Sequence, residues 1–164
     1  MRFFLPDTDA TARFGGLLAG ELVAYPDPPP VFFYGTLGMG KTTLIRGLVK
    51  ALPGGKNAEI SSPSFTLCNI YPTTPPAGHF DLYRQATGMA DESLLDFLDR
   101  ARHVVLVEWA ERIPPADLPT SRLECALTTL GEGREAALAA FGGAALAISG
   151  NMRCMWEGTA TFYG

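Results

Sequence analysis

Apolar residues recur at helical spacing near the start of the chain, where Ala10, Phe14, Leu17, Leu18 and Leu22 fall on one face. Asp7 or Thr8 supplies an N-cap for this helix. The run Pro26-Asp27-Pro28-Pro29-Pro30 ends it and delivers an extended chain into Val31-Phe32-Phe33-Tyr34, a short apolar and aromatic run that predicts a buried strand. Helical spacing returns over 43–50 and stops at Pro53-Gly54-Gly55. Segment 65–71 alternates and is rich in strand formers, and 72–78, with its prolines and glycine, predicts a turn. His79-Phe80-Asp81-Leu82-Tyr83 alternates again, which sets His79, Asp81 and Tyr83 on one face and Phe80 and Leu82 on the other. The two alternating segments predict a hairpin.

Asp91 or Ser93 starts the next predicted helix, with Leu94, Leu95, Leu98 and Ala101 as its buried stripe. Val104-Val105-Leu106-Val107 is continuously apolar, as a strand covered on both faces must be, and it runs into Glu108-Trp109. Pro114, Pro115 and Pro119 mark a long surface loop, 123–129 predicts a strand, and Gly131-Glu132-Gly133 a turn. The alanine-rich segment 134–147 fits strand and helix equally, the tail 151–164 predicts nothing, and no internal repeat is visible.

Composition narrows this picture. With 164 residues the chain is the length of one domain with a real core, here placed at 1–150 with 151–164 as a tail. Its 47% hydrophobic and 18% charged residues fit a compact protein rather than a disordered one. A net charge of −4, without any lysine or arginine run, supplies no global field for nucleic acid. Cys68, Cys125 and Cys154 are scattered and form no C-x-x-C, so they read as buried free thiols in a reducing cytoplasm rather than disulfides or zinc ligands. Residues 1–25 lack the pattern of a signal peptide and no apolar run is long enough to span a bilayer, so a cytoplasmic location without membrane contact is expected.

Chemistry enters at Gly35-Thr36-Leu37-Gly38-Met39-Gly40-Lys41-Thr42, which has the form G-x-x-x-x-G-K-T. A strand before it and a helix after it are the setting of a phosphate-binding P-loop. Glycines let the backbone wrap an anion, and the loop N–H groups with the helix N-terminus then face the phosphates. Lys41 is expected on the β- and γ-phosphates and Thr42 on Mg²⁺. Glu108 ends the apolar strand, at the edge where parallel sheets bind ligands, and would complete a Walker-B-like metal site. Asp81 either holds a metal-bound water or orients the attacking water, or else serves as a helix cap or salt-bridge partner, and His79 either hydrogen-bonds Asp81 or is structural. Arg84 follows the Asp81 strand as the one nearby candidate for a second cation, with its direction left open. Trp109 either stacks on the base or packs in the core; His103 reads as ordinary surface. Ser61, Ser62, Ser64 and Thr66 form either a γ-phosphate-sensing switch or a locally bonded turn. Neither N-K-x-D nor a D-x-x-G segment is present, which favours adenine over guanine.

Together these segments resemble the bacterial tRNA threonylcarbamoyladenosine biosynthesis ATPase, the TsaE (YjeE-like) family. The resemblance is carried by Leu5-Pro6-Asp7, the P-loop through Thr43, Ser62-Pro63-Ser64-Phe65-Thr66-Leu67, His79-Phe80-Asp81-Leu82-Tyr83-Arg84, Val107-Glu108-Trp109 and Gly133-Arg134-Glu135. It covers roughly residues 5–140, with departures at Thr36, Met39 and Ser64, where that family usually has aspartate, alanine and threonine. The resemblance implies an α/β fold, P-loop NTPase-like and three-layered (α/β/α), with a mixed sheet carrying antiparallel additions. It implies Mg-ATP hydrolysis coupled to threonylcarbamoyl transfer onto adenosine in tRNA. The implied partners are a transferase of the Kae1 type and its paralogue, with tRNA met only indirectly. The implied roles are Lys41 on phosphate, Thr42 and Glu108 on Mg²⁺, and Asp81 near the reacting water. Leu37, Gly38, Met39, Gly40 and Thr43 complete the loop, and Thr11, Trp109 and Arg134 line the nucleoside pocket. Two other classes stay open at this point, a small-molecule kinase and a nucleotide-dependent binding module with little hydrolysis.

Overall fold

The computed structural model describes residues 1–86 and 91–160. Its centre is a seven-stranded mixed sheet in the order β1-β7-β6-β2-β5-β4-β3. The strands are β1 (Arg2–Leu5), β2 (Val31–Tyr34), β3 (Cys68–Tyr71), β4 (Ala77–Asp81), β5 (Val104–Glu108), β6 (Arg122–Leu130) and β7 (Gly133–Phe141). The four inner strands β6, β2, β5 and β4 run parallel, and β1–β7, β7–β6 and β3–β4 add antiparallel pairs on both sides. The inner strands β2 and β5 are apolar almost throughout because helices and loops cover them on both faces.

The helices are α1 (Thr8–Leu22), α2 (Lys41–Ala51), α3 (Glu92–Leu98) and α4 (Gly143–Ala160). On one face α1, α2 and α4 pack over a core of Phe14, Leu18, Leu22, Val31, Phe33, Leu44, Ile45 and Leu48. On the other, α3 covers Phe32, Phe80, Val105 and Val107. This is the three-layer α/β/α arrangement expected. Asp7 caps α1, its carboxylate accepting from the Ala10 N–H at 2.7 Å.

Several local expectations are corrected. β1 is an addition: Arg2–Leu5 pairs with β7, which lies near the other end of the chain. Segment 65–67 is not strand. The N–H groups of Thr66 and Leu67 both donate to Pro63 O, and Leu67 sits at φ 68°, so the chain turns there before β3 begins at Cys68. β4 starts at Ala77, inside the stretch predicted as turn, and ends at Asp81, so Leu82 and Tyr83 lie beyond it. In α3 the buried positions are Leu94 and Phe97; Leu95 and Leu98 are half-buried and Ala101 is exposed. The ambiguous alanine-rich segment divides into β7 and the start of α4. Residues 151–160 continue α4, where Met152 is buried and Trp156 packs edge-on against Phe14, ring centroids 5.5 Å apart. Of the cysteines only Cys125 is buried; Cys68 is half-buried and Cys154 exposed.

Candidate functional site

The P-loop leaves the C-terminal end of β2, and its backbone takes the shape that glycine permits. Gly38 and Gly40 sit at φ 83° and 97°, where a Cβ would be strained. Gly40 is also the N-cap of α2, and no side chain caps that helix, so its first-turn N–H groups are not satisfied locally. Two neighbouring inner strands end beside the loop. Asp81, last in β4, and Glu108, last in β5, are register partners. The parallel ladder thus brings both carboxylates to the C-terminal edge, where open α/β sheets hold ligands.

A cavity of about 360 Å³ opens over this edge. The P-loop from Leu37 to Thr43 forms one wall, and Asp81, Glu108 and Trp109 form another. Ser62, Ser64, Tyr83, Arg84 and Arg134 complete the rim. The P-loop residues, the acids at the two strand ends, Trp109 and Arg134, all expected at the site, are therefore brought together around one volume. Thr11 is not among the lining residues: it is fully buried in α1, with its hydroxyl donating to Asp7 O at 2.9 Å.

Lys41 donates to Gly35 O at 2.5 Å and to Thr36 O at 3.1 Å, and its ammonium lies 3.8 Å from the centre of the Trp109 ring. Burial lowers its pKa from the usual lysine value, opposed by the charges of Glu108, Glu111 and Asp81. The Thr42 hydroxyl donates to Glu108 Oε1 at 2.9 Å, which joins the P-loop to β5. The same oxygen is 2.9 Å from His79 Nε2. His79 therefore pairs with Glu108 and not with Asp81. Asp81 instead accepts from the Ser62 hydroxyl and, at 2.9 Å, from the Tyr83 N–H.

Lys41, Asp81, Glu108 and His79 are each at most 4% exposed, so their hydrogen bonds form in a medium where they are strong. As metal donors, the Thr42 hydroxyl and Glu108 carboxylate are hard oxygens side by side. Among the described residues no group of three or more His, Cys, Asp or Glu could hold a metal alone. The donor set fits Mg²⁺, which keeps several waters and shares phosphate oxygens with one or two protein ligands.

Two features are not legible in the sequence. One is the direction of Arg84, which lines the cavity with its guanidinium 4.2 Å from the centre of the exposed Phe65 ring. The other is the stacking of Tyr83 against Trp109, ring centroids 4.9 Å apart, since Tyr83 lies outside the strand whose alternation predicts its face. His103 is half-buried and packs edge-on to Phe97, away from the cavity.

The family model described as threonylcarbamoyl adenosine biosynthesis protein TsaE matches residues 5–136. A tRNA threonylcarbamoyladenosine biosynthesis protein TsaE from Synechocystis is 40% identical over 119 residues, covering 70% of this chain and 73% of the relative. One from Nostoc is 34% identical over 146 residues, covering 85% and 86%. One from Haemophilus influenzae is 33% identical over 130 residues, covering 70% and 77%. Among solved structures, the crystal structure of Bacillus subtilis YdiB superposes with a TM-score of 0.76 at 24% identity, covering 94% of this chain and 95% of that one. That likeness bears on the fold. The chain belongs to the TsaE family of tRNA threonylcarbamoyladenosine biosynthesis proteins.

Proposed function

We propose that this chain is the ATP-hydrolysing component required for threonylcarbamoyl modification of adenosine in tRNA, working in complex with a threonylcarbamoyl transferase and its paralogue. The observation that carries the reading is the hydrogen bond from the P-loop Thr42 to the strand-end carboxylate Glu108, 2.9 Å long. It brings the hydroxyl and the acid that a Mg-nucleotide site needs to one point at the foot of the cavity.

In this reading the P-loop N–H groups and the α2 N-terminus bind the α- and β-phosphates. Lys41 exchanges its carbonyl partners for the β- and γ-phosphate oxygens, a charge-assisted contact. Thr42 and Glu108 hold Mg²⁺, which when bound neutralises charge developing on the phosphate oxygens. Asp81, fixed by Ser62 and the Tyr83 N–H, orients the attacking water. Trp109 and Arg134 border the nucleoside, and Thr11 supports α1 behind the loop. Because Ser62 holds Asp81, a partner docking on the 61–64 turn would reach the water-orienting acid directly. Contact with tRNA runs through the partners, consistent with a net charge of −4. No helix among the described residues is long and apolar enough to cross a membrane, and the reading places the protein in the cytoplasm.

Phosphoryl transfer is catalysed by positioning and by cations placed where charge develops. Arg84 is engaged with Phe65 at the rim, so the isolated chain is expected to turn over slowly and its partners to complete the site. Steady-state phosphate release, measured with and without the transferase and its paralogue, tests this. The partners are expected to raise the rate, by roughly 10³-fold or more if they supply a cation in trans. A fast rate that the partners leave unchanged would contradict the reading.

A further inference from the structure

We infer that His79 is a positioning residue for Glu108, holding the carboxylate in the orientation that leaves it able to bind Mg²⁺ beside Thr42. The inference rests on the reading of Glu108 as a metal ligand. A carboxylate only accepts hydrogen bonds, so at 2.9 Å it is His79 Nε2 that carries the hydrogen shared with Glu108 Oε1. The Thr42 hydroxyl donates to that same oxygen at 2.9 Å. Two donors thus converge on Oε1, and Oε2 takes part in neither bond.

The ring is itself held. His79 is 0% exposed, and its backbone sits in β4 between β3 and β5, opposite Asn69 and Leu106. Its other nitrogen, Nδ1, faces the Tyr71 hydroxyl at 3.5 Å, and that hydroxyl is 3.4 Å from Ser61 O. The chain of contacts therefore runs from the turn at Ser61 through Tyr71 and His79 to Glu108. A buried acid with one hydroxyl partner could swing about its side-chain bonds; a second donor on the same oxygen, from a ring fully buried in the sheet, removes that freedom. Outer partners of this kind orient metal ligands, and their loss typically costs about 10–100-fold in metal affinity or activity. A histidine that merely filled space would not need its ring nitrogen on the one carboxylate that also meets the P-loop.

The test compares His79→Gln with His79→Asn. Both carry the same amide. Only glutamine places its N–H where Nε2 stands, because asparagine is one methylene shorter. A non-hydrolysable ATP analogue is titrated by calorimetry into wild type and both variants, in Mg²⁺ and in EDTA. The expected result is that Mg²⁺ tightens binding to wild type and to His79→Gln. For His79→Asn about tenfold of that Mg²⁺ gain is lost, with the EDTA affinity unchanged. Equal losses in both solutions, or a full Mg²⁺ gain in His79→Asn, would overturn the inference while leaving the metal site intact. A wild type that gains nothing from Mg²⁺ would instead refute the metal reading of Glu108, and the inference with it.

Discussion

Glu108 is tied to two separate elements, since Thr42 from the P-loop and His79 from the neighbouring strand both bond Oε1. Glu108→Gln keeps the size and removes the charge. It is expected to leave the fold and nucleotide affinity in EDTA unchanged, and to lower Mg²⁺-dependent hydrolysis by about 10²–10³-fold, the scale of one preorganised electrostatic contact. Parallel phosphate-release and binding assays check it; wild-type turnover would assign Glu108 to structure alone. That Glu108 belongs at the site was legible from its place at the end of an apolar run. Its bond to His79 was not. Alternation sets His79 and Asp81 on one face, but the register places Glu108 opposite Asp81, so Glu108 is the diagonal neighbour of His79 on that same face, about 7–8 Å away at the backbone and within reach of long side chains. The side chains of His79 and Glu108 meet across the two strands, and which strand lies beside β4, and in what register, is a fact of the fold rather than of local pattern.

The element that carries Lys41 and Thr42 is α2, and its position is set by how closely α1 approaches it. A Cβ on Gly47 would lie 2.0 Å from Ala12 O, and one on Gly15 would lie 2.1 Å from Leu44 O. Two glycines thus let the helix backbones touch. Gly47→Ala improves helix propensity by about 1 kcal/mol. It also drives a methyl group into backbone that cannot yield as a side chain would, and overpacking costs about 1–3 kcal/mol or more. The clash is expected to win, lowering the melting temperature by roughly 3–10 °C. Thermal unfolding by circular dichroism decides it: an unchanged or raised midpoint would mean the helices are not this close. The spacing of Phe14, Leu18 and Leu22 made α1 visible as an amphipathic helix, but not the glycine contact, which depends on which helix faces it. β2, α2 and β5 were legible for the same reason: apolar runs or stripes between clear breakers leave one choice. β1 and β7 were not, because four residues give little pattern and alanine favours no strand; β7 is specified by pairing with β6 and β1 on either side.

At the scale of the whole molecule, two cores sandwich one sheet, and the protection they give can be read from the thiols. Cys125 lies in the larger core, where burial pushes its thiol up to about 12; Cys68 is half-buried and pushed to about 11. Cys154 is exposed on α4. Thiolate is the reactive form, so at about pH 8 a thiol reagent should label Cys154 first, Cys68 slowly and Cys125 only on unfolding. Peptide mapping of the labelled protein checks the order; early labelling of Cys125 would contradict the packing of β6 under α1, α2 and α4. The same packing aligns the C-terminal ends of β2, β4 and β5, so the account as a whole stands on that edge being a Mg-ATP site. Calorimetric titration of Mg-ATP into wild type and Lys41→Ala tests it most directly. Wild type is expected to bind one nucleotide. The variant, lacking the ammonium that meets the phosphates, should lose about 1.5–3 kcal/mol of binding, or roughly 10–150-fold in affinity. Equal affinity in the two proteins would contradict the site.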